Sequence, residues 1–148
     1  MNIIITGALG HIGSKFIQRI TKIKNLKKVY LIDNASSNNL NVLFNAKSKN
    51  IKLKFIQDDL INKSVLNSIN EKIHVVIHLA SITNAEQSFK IKKKLYKNNF
   101  GIFKNVINFC KKKGVNLIHI SSTSVYGVQS EIVNENCKNL KPQSPYAD

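Results

Sequence analysis

Three glycines and one aspartate carry the first chemical signal in the chain. Thr6-Gly7-Ala8-Leu9-Gly10-His11-Ile12-Gly13 places a glycine at every third position, between the apolar run Ile3-Ile4-Ile5 and an amphipathic stretch. In such a loop the first glycine makes a tight turn. The second lets the backbone approach a pyrophosphate, and the third lets helix and strand pack closely. The helix that follows offers free N–H groups and the positive end of its dipole to the same phosphates. Asp33 lies twenty residues past Gly13, at the end of the second apolar run. A carboxylate there accepts both ribose hydroxyls of NAD and repels the 2′-phosphate of NADP. No arginine follows Asp33 to welcome that phosphate. The cofactor contacts expected from the loop and its partner are Thr6, Gly7, Gly10, His11, Ile12, Gly13 and Asp33.

Other polar residues gather where strands should end. Asp58-Asp59-Leu60 follows the third apolar run. One of its aspartates reaches the adenine amino group, or caps a helix instead. His78-Leu79-Ala80-Ser81 closes the fourth run, and small Ala80 and Ser81 leave room for a cofactor. His78 itself reads as a buried, hydrogen-bonded strand histidine rather than a ligand. Leu95, Asn99, Ile102 and Val106 form one helical stripe, so Asn99 faces the interior. A buried amide must find partners, and supporting the backbone of the site is a use for it. Ser121-Ser122-Thr123-Ser124-Val125-Tyr126-Gly127 puts hydroxyls after the fifth run, and Ser144-Pro145-Tyr146 suits a helix start with proline at its first position. Tyr146 would then stand in the first turn, where the dipole favours negative charge.

These residues need a sheet to hold them. Strands are expected at Ile3–Ile5, Val29–Ile32, Leu53–Ile56, Val75–Ala80 and Leu117–Ile120, the fourth apolar on both faces like a buried parallel strand. Ile12, Phe16, Ile20 and Ile23 mark one face of a helix after the first strand. A polar segment with weak helical character follows the second strand. Asn62 can cap a short helix carrying Val65, Leu66 and Ile69, and a long helix runs from near Ser88 to Lys113 with Gly114 ending it. Alternating strand and helix imply a parallel α/β sheet with right-handed crossovers, and the Rossmann-like doubly wound order is 3-2-1-4-5.

The 148 residues make one domain, and no apolar run reaches the roughly 20 residues of a membrane helix. The first residues lack a basic segment and an Ala-x-Ala site, so they do not read as a signal peptide. Cys110 and Cys137 are too few for a disulfide framework and read as reduced thiols of a cytoplasmic protein. The net charge of +15 raises the question of nucleic acid. Arg19 is the only arginine, and the lysines are spread along the whole chain. The runs Lys92-Lys93-Lys94 and Lys111-Lys112-Lys113 therefore read as solvated helix faces and ends, not as a patch for specific nucleic acid. No metal cluster is expected.

Taken together, the ordered set resembles the extended short-chain dehydrogenase/reductase family, the NAD-dependent nucleotide-sugar epimerases and dehydratases. The resemblance covers all 148 residues. It implies that Asp33-Asn34 is the ribose-binding pair, that Asp59-Leu60 contacts adenine, and that Leu79, Ala80, Ser81 and Asn99 line the cofactor site. It implies catalytic roles for Ser122 and Tyr146: Tyr146 as phenolate takes a proton from a sugar hydroxyl, and Ser122 hydrogen-bonds the same oxygen. Two departures bear on activity. Thr123 and Ser124 stand where dehydratase members carry an Asp-Glu pair, which favours an epimerase or reductase. The lysine of the Tyr-x-x-x-Lys motif would fall two positions beyond Asp148. A sixth strand and a C-terminal substrate domain are also expected in such an enzyme, so the chain reads as its N-terminal fragment, inactive alone. The intact family implies a nucleotide-sugar substrate and a homodimer. A catalytically inactive NAD-binding module is the alternative reading.

Overall fold

The computed structural model describes residues 1–45 and 50–148. Its centre is β1 (Asn2–Thr6), in which Ile3, Ile4 and Ile5 are all buried. β1 pairs in parallel with β2 (Lys28–Asp33) on one side and β4 (Val75–His78) on the other. β3 (Lys52–Gln57) extends the sheet beyond β2, and β5 (Asn116–His119) extends it beyond β4. The order is β3-β2-β1-β4-β5, all parallel, as the strand and helix alternation implies.

The pleat distributes the apolar side chains between two cores. Ile3, Ile5, Val29 and Leu31 point to one face and pack with Ile17 and Ile20. Ile17 belongs to α1 (His11–Arg19), and Ile20 opens the 3₁₀ turn Ile20–Lys22 that continues it. α2 (Asn41–Asn45) adds Val42 to the same face. Ile4, Tyr30, Ile32 and Val76 point to the opposite face. There they meet Val65 and Leu66 of α3 (Ser64–Asn67) and, from the long helix, Ile102, Val106 and Phe109. Covering both faces is what permits strands as uniformly apolar as β1 and β2.

Three expectations need adjustment. The long helix is two: α4 (Ala85–Ser88) and α5 (Lys92–Lys113), with Gly114 capping α5 as expected. Asn84 caps α4 by accepting from the Gln87 N–H at 2.8 Å, which starts helical structure earlier than the apolar stripe suggests. The fourth and fifth strands stop at His78 and His119, because Leu79, Ala80, Ile120 and Ser121 already turn toward the clefts described below. Asn62 accepts from the Ser64 N–H at 3.2 Å, one residue before the position a helix cap would take. The polar segment after β2 carries α2; its residues 46–49 lie outside those described. No helix among the described residues is long and apolar enough to cross a membrane. Cys110 and Cys137 are both free, and burial pushes the Cys110 thiol up.

Candidate functional site

At the carboxyl ends of the strands two adjoining clefts open, of about 670 and 600 Å³. They share Leu79, Ala80, Ser81 and Thr83, the segment that leaves β4. β1 and β4 lie side by side there, with connections departing in opposite directions, which is where open α/β sheets hold ligands.

The larger cleft is built around the glycine loop. Gly7 has φ +64°, and a Cβ on it would stand 2.6 Å from the Ala80 nitrogen. Only glycine allows the loop to turn this close to the β4 end. A Cβ on Gly13 would lie 2.3 Å from the Gly7 oxygen, so the third glycine lets α1 start directly behind the loop. Asp33 ties the loop to β2. Its Oδ2 accepts the Leu9 N–H at 2.9 Å, and its Oδ1 accepts the Ala35 N–H at 2.8 Å. A carboxylate has about four acceptor sites, so the side chain keeps capacity for ligand hydroxyls. Gly7, Gly10, His11, Asp33, Asn34, Asp58, Asp59 and Leu60 all line this cleft. Asp59 also accepts the Ile61 N–H at 3.0 Å. The first turn of α1 carries no acidic residue that would oppose an anion at its N-terminus. These donors, the carboxylate and the bare glycine backbone fit a dinucleotide.

Thr6 and Gly13 line neither cleft. Thr6 is fully buried and works on the site from behind. Its Oγ1 lies 2.7 Å from Nδ1 of His78 and accepts N–H groups from Leu79 at 3.2 Å and Ala80 at 3.3 Å. With those two amides donating, the hydroxyl proton goes to the imidazole, and His78 is a neutral acceptor at Nδ1. Burial, with a smaller contribution from His119, pushes His78 down to about 4. His78 is thus a buried strand histidine, although one edge of it reaches the smaller cleft.

Asn99 holds the shared segment from the other side. Its Oδ1 accepts the Ile82 N–H at 2.9 Å, and its Nδ2 donates to the Ile82 carbonyl at 3.0 Å. The interior-facing amide therefore finds both partners in the backbone that separates the clefts. It lines the smaller cleft together with Leu79, Ala80, Ser81 and Ile12.

The smaller cleft collects the hydroxyls. Ser122 precedes the 3₁₀ turn Thr123–Tyr126, caps it by accepting the Ser124 N–H at 3.2 Å, and donates to the Ser124 hydroxyl at 2.9 Å. Gly127 then turns with φ +62°, and a Cβ there would collide with the Lys141 carbonyl. That close crossing brings the segment after Lys141 back to the serine loop, so Ser122 and Tyr146 line one cleft although they stand 24 positions apart. Residues 144–147 form a turn rather than an assigned helix, with the Ala147 N–H on the Ser144 carbonyl at 2.9 Å. Pro145 and Ala147 are buried, and the Tyr96 hydroxyl donates to Asp148 at 2.8 Å. That bond raises the Tyr96 phenol.

Several lining residues escaped the sequence reading. Ser36 and Ser37 line the larger cleft beside Asp33, and Asn39 donates to the Leu9 carbonyl at 3.1 Å. Polar residues in a polar loop give no periodic signal. In the smaller cleft the Phe103 and His119 rings meet at a tilt, their centres 4.6 Å apart, and His78 stacks on His119 at 5.3 Å. The register that pairs His78 with His119 could have suggested the second contact. No group of residues among those described could hold a metal ion.

A sequence model of one family, described as the NAD dependent epimerase/dehydratase family, matches residues 3–148. The chain belongs to that family. Among its relatives, a dTDP-D-glucose 4,6-dehydratase of Dictyostelium discoideum is 31% identical over 98% of this chain. A UDP-glucose 4-epimerase of Haemophilus influenzae is 30% identical over 99%. The chain spans 37% and 44% of those two proteins' lengths. Among solved structures, a UDP-glucuronic acid 4-epimerase variant from Bacillus cereus, in complex with a fluorinated UDP-glucuronic acid and NAD, superimposes with a TM-score of 0.86. It is 30% identical, and the match covers 99% of this chain and 48% of that one. As an epimerase/dehydratase family member, the chain has the doubly wound sheet that its strand order already displays.

Proposed function

We propose that this chain binds NAD across the two clefts and forms the cofactor-binding half of a nucleotide-sugar epimerase. The observation that carries the reading is Asp33, which grips the Leu9 amide of the glycine loop while lining the cleft. Gly7, Gly10 and the start of α1 would hold the diphosphate. Asp33 and Asn34 would hold the adenosine ribose, and Asp59 and Leu60 the adenine. Ala80, Ser81 and Asn99 would border the nicotinamide half. NAD, when bound, supplies a reversible hydride acceptor.

The chain's own residues do the rest. Tyr146 removes the proton from a sugar hydroxyl, and Ser122 donates a hydrogen bond to the same oxygen. Asn99 fixes the backbone at Ile82, so the wall between the clefts does not shift as ligand enters. Thr123 and Ser124, in place of an acid pair, support epimerisation or reduction over dehydration. Ile12, Phe100 and Phe103 give the smaller cleft an apolar side. A cytoplasmic location, a homodimeric assembly and the absence of specific nucleic-acid binding belong to the same proposal.

Tyr146→Phe tests the catalytic half of this reading. In a chain joined to the remaining length of a relative, the exchange should leave NAD affinity within about twofold and abolish turnover of UDP-sugars. The 148-residue chain alone should bind NAD without turnover, since proximity of a held sugar contributes up to about 7–11 kcal/mol in well-oriented systems. Full turnover by the Phe variant would remove Tyr146 from its role. Absence of turnover in the unaltered joined chain, with NAD bound, would favour a binding-only module.

A further inference from the structure

Helix α5 forms one wall of the larger cleft, and Lys94 stands on it. Lys94, Asn98 and Ile102 all line this cleft. They follow one another at four-residue spacing, one stripe along the helix. The middle of α5 is fixed beside Asp59-Leu60, because Asn105 donates to the Leu60 carbonyl at 2.8 Å and the Ile61 carbonyl at 3.0 Å. Lys94 lies eleven residues up the helix from there, about 16 Å along its axis, at the open end of the wall. The other ionisable residues on the cleft are Asp33, Asp58, Asp59 and His11. Lys94 is exposed and forms no ion pair with a described residue.

The position is not one the helix itself favours. α5 begins at Lys92, and its first turn holds three lysines and no acid. Positive charge at the positive end of a helix dipole is unfavourable. Removing one of these lysines should therefore leave stability unchanged or improved.

We propose that Lys94 supplies, from the α5 wall, the positive charge that meets the diphosphate of the bound dinucleotide. The inference rests on the NAD reading above. The diphosphate brings two negative charges into a cleft that already holds three carboxylates. The loop amides and the end of α1 answer with partial charges only. Neither the loop nor the α1 residues on this cleft include a lysine or arginine. An ammonium on a flexible stem meets a phosphate as a point charge, with no fixed geometry required.

The test compares Lys94→Gln with Lys93→Gln. The second variant removes the same charge one residue away, from a side chain that lines neither cleft. NAD, ADP and adenosine are titrated by calorimetry into each chain at low salt and at about 0.5 M salt, where screening acts over a few ångströms. Lys94→Gln should weaken NAD and ADP about three- to tenfold at low salt, leave adenosine within about twofold, and lose most of its effect at high salt. Lys93→Gln should follow the unaltered chain, and both thermal midpoints should be unchanged or raised. Equal losses in the two variants would make the effect one of overall charge and overturn the inference. So would a loss for adenosine as large as that for ADP, or NAD binding that Lys94→Gln leaves untouched. Failure of the unaltered chain to bind NAD would instead remove the cofactor reading, and this inference with it.

Discussion

Replacing Thr6 by valine keeps the shape of a fully buried side chain and removes only the hydroxyl. The structure gives that hydroxyl three partners. Nδ1 of His78 at 2.7 Å would lose its donor, and the Ala80 N–H at 3.3 Å would lose its acceptor. The Leu79 N–H keeps the Thr6 carbonyl at 3.2 Å and is spared. A buried group left unpaired costs about 1–3 kcal/mol. His78 is 2% exposed and should pay near the top of that range, whereas half-buried Ala80 should pay near the bottom. The expected loss is therefore about 2–4 kcal/mol, read as a lower urea midpoint at constant slope. Thr6→Ser restores the hydroxyl and removes one methyl, so it should lose only about 1 kcal/mol. A valine variant within about 0.5 kcal/mol of the natural chain, the range of an inconsequential surface change, would refute the role given to Thr6. A serine variant less stable than the valine one would refute it as well.

Stability should also fall in acid through His78. Its folded value of about 4 lies below the unfolded 6.5, so the unfolded chain binds the extra proton between those limits. The contribution is whole above pH 6.5 and is lost as pH falls toward 4, by about 3 kcal/mol. Urea midpoints taken from pH 7 to 4 should show this slope, and His78→Gln should flatten it; an unchanged slope in the variant would assign the acid sensitivity elsewhere. Asn99→Leu should leave the Ile82 N–H unpaired and its carbonyl with only the Ser81 hydroxyl at 3.4 Å, and lower stability by about 1–3 kcal/mol. Hydrogen exchange at the Ile82 amide should accelerate in that variant more than exchange in β1, and equal acceleration would point to global loosening only.

The sheet was legible because its signal is local and repeated. Ile3–Ile5, Val29–Ile32 and Val75–Ile77 are runs too apolar for anything but buried strands, and alternation with helices leaves few parallel orders. Asn99 was legible for a related reason: an amide on an apolar stripe has to be satisfied somewhere, and Ile82 is where. Thr6 shows what local pattern cannot carry. Its place in the glycine motif suggested cofactor contact, yet its partners His78 and Ala80 lie more than 70 residues away and only the β1–β4 pairing reveals them. The break between α4 and α5 falls at Phe89-Lys90-Ile91, where no glycine or proline marks a turn, while the decisive cap at Asn84 lies ahead of the apolar stripe. The meeting of Ser122 with Tyr146 depends on a backbone crossing at Gly127 that no periodicity encodes.

The central claim is that the larger cleft takes NAD, with Asp33 reading the ribose. Calorimetric titration of the 148-residue chain with NAD and with NADP tests it most directly. The account predicts saturable binding of one NAD per chain and NADP weaker by at least about tenfold, a difference of 1.4 kcal/mol. Asp33→Ala should weaken NAD by about 1–3 kcal/mol and narrow that gap. Because Asp33 also holds the Leu9 and Ala35 amides, a purely structural loss would weaken both nucleotides alike and leave the ratio unchanged. No saturable binding of NAD, or equal affinity of the unaltered chain for NAD and NADP, would contradict the account.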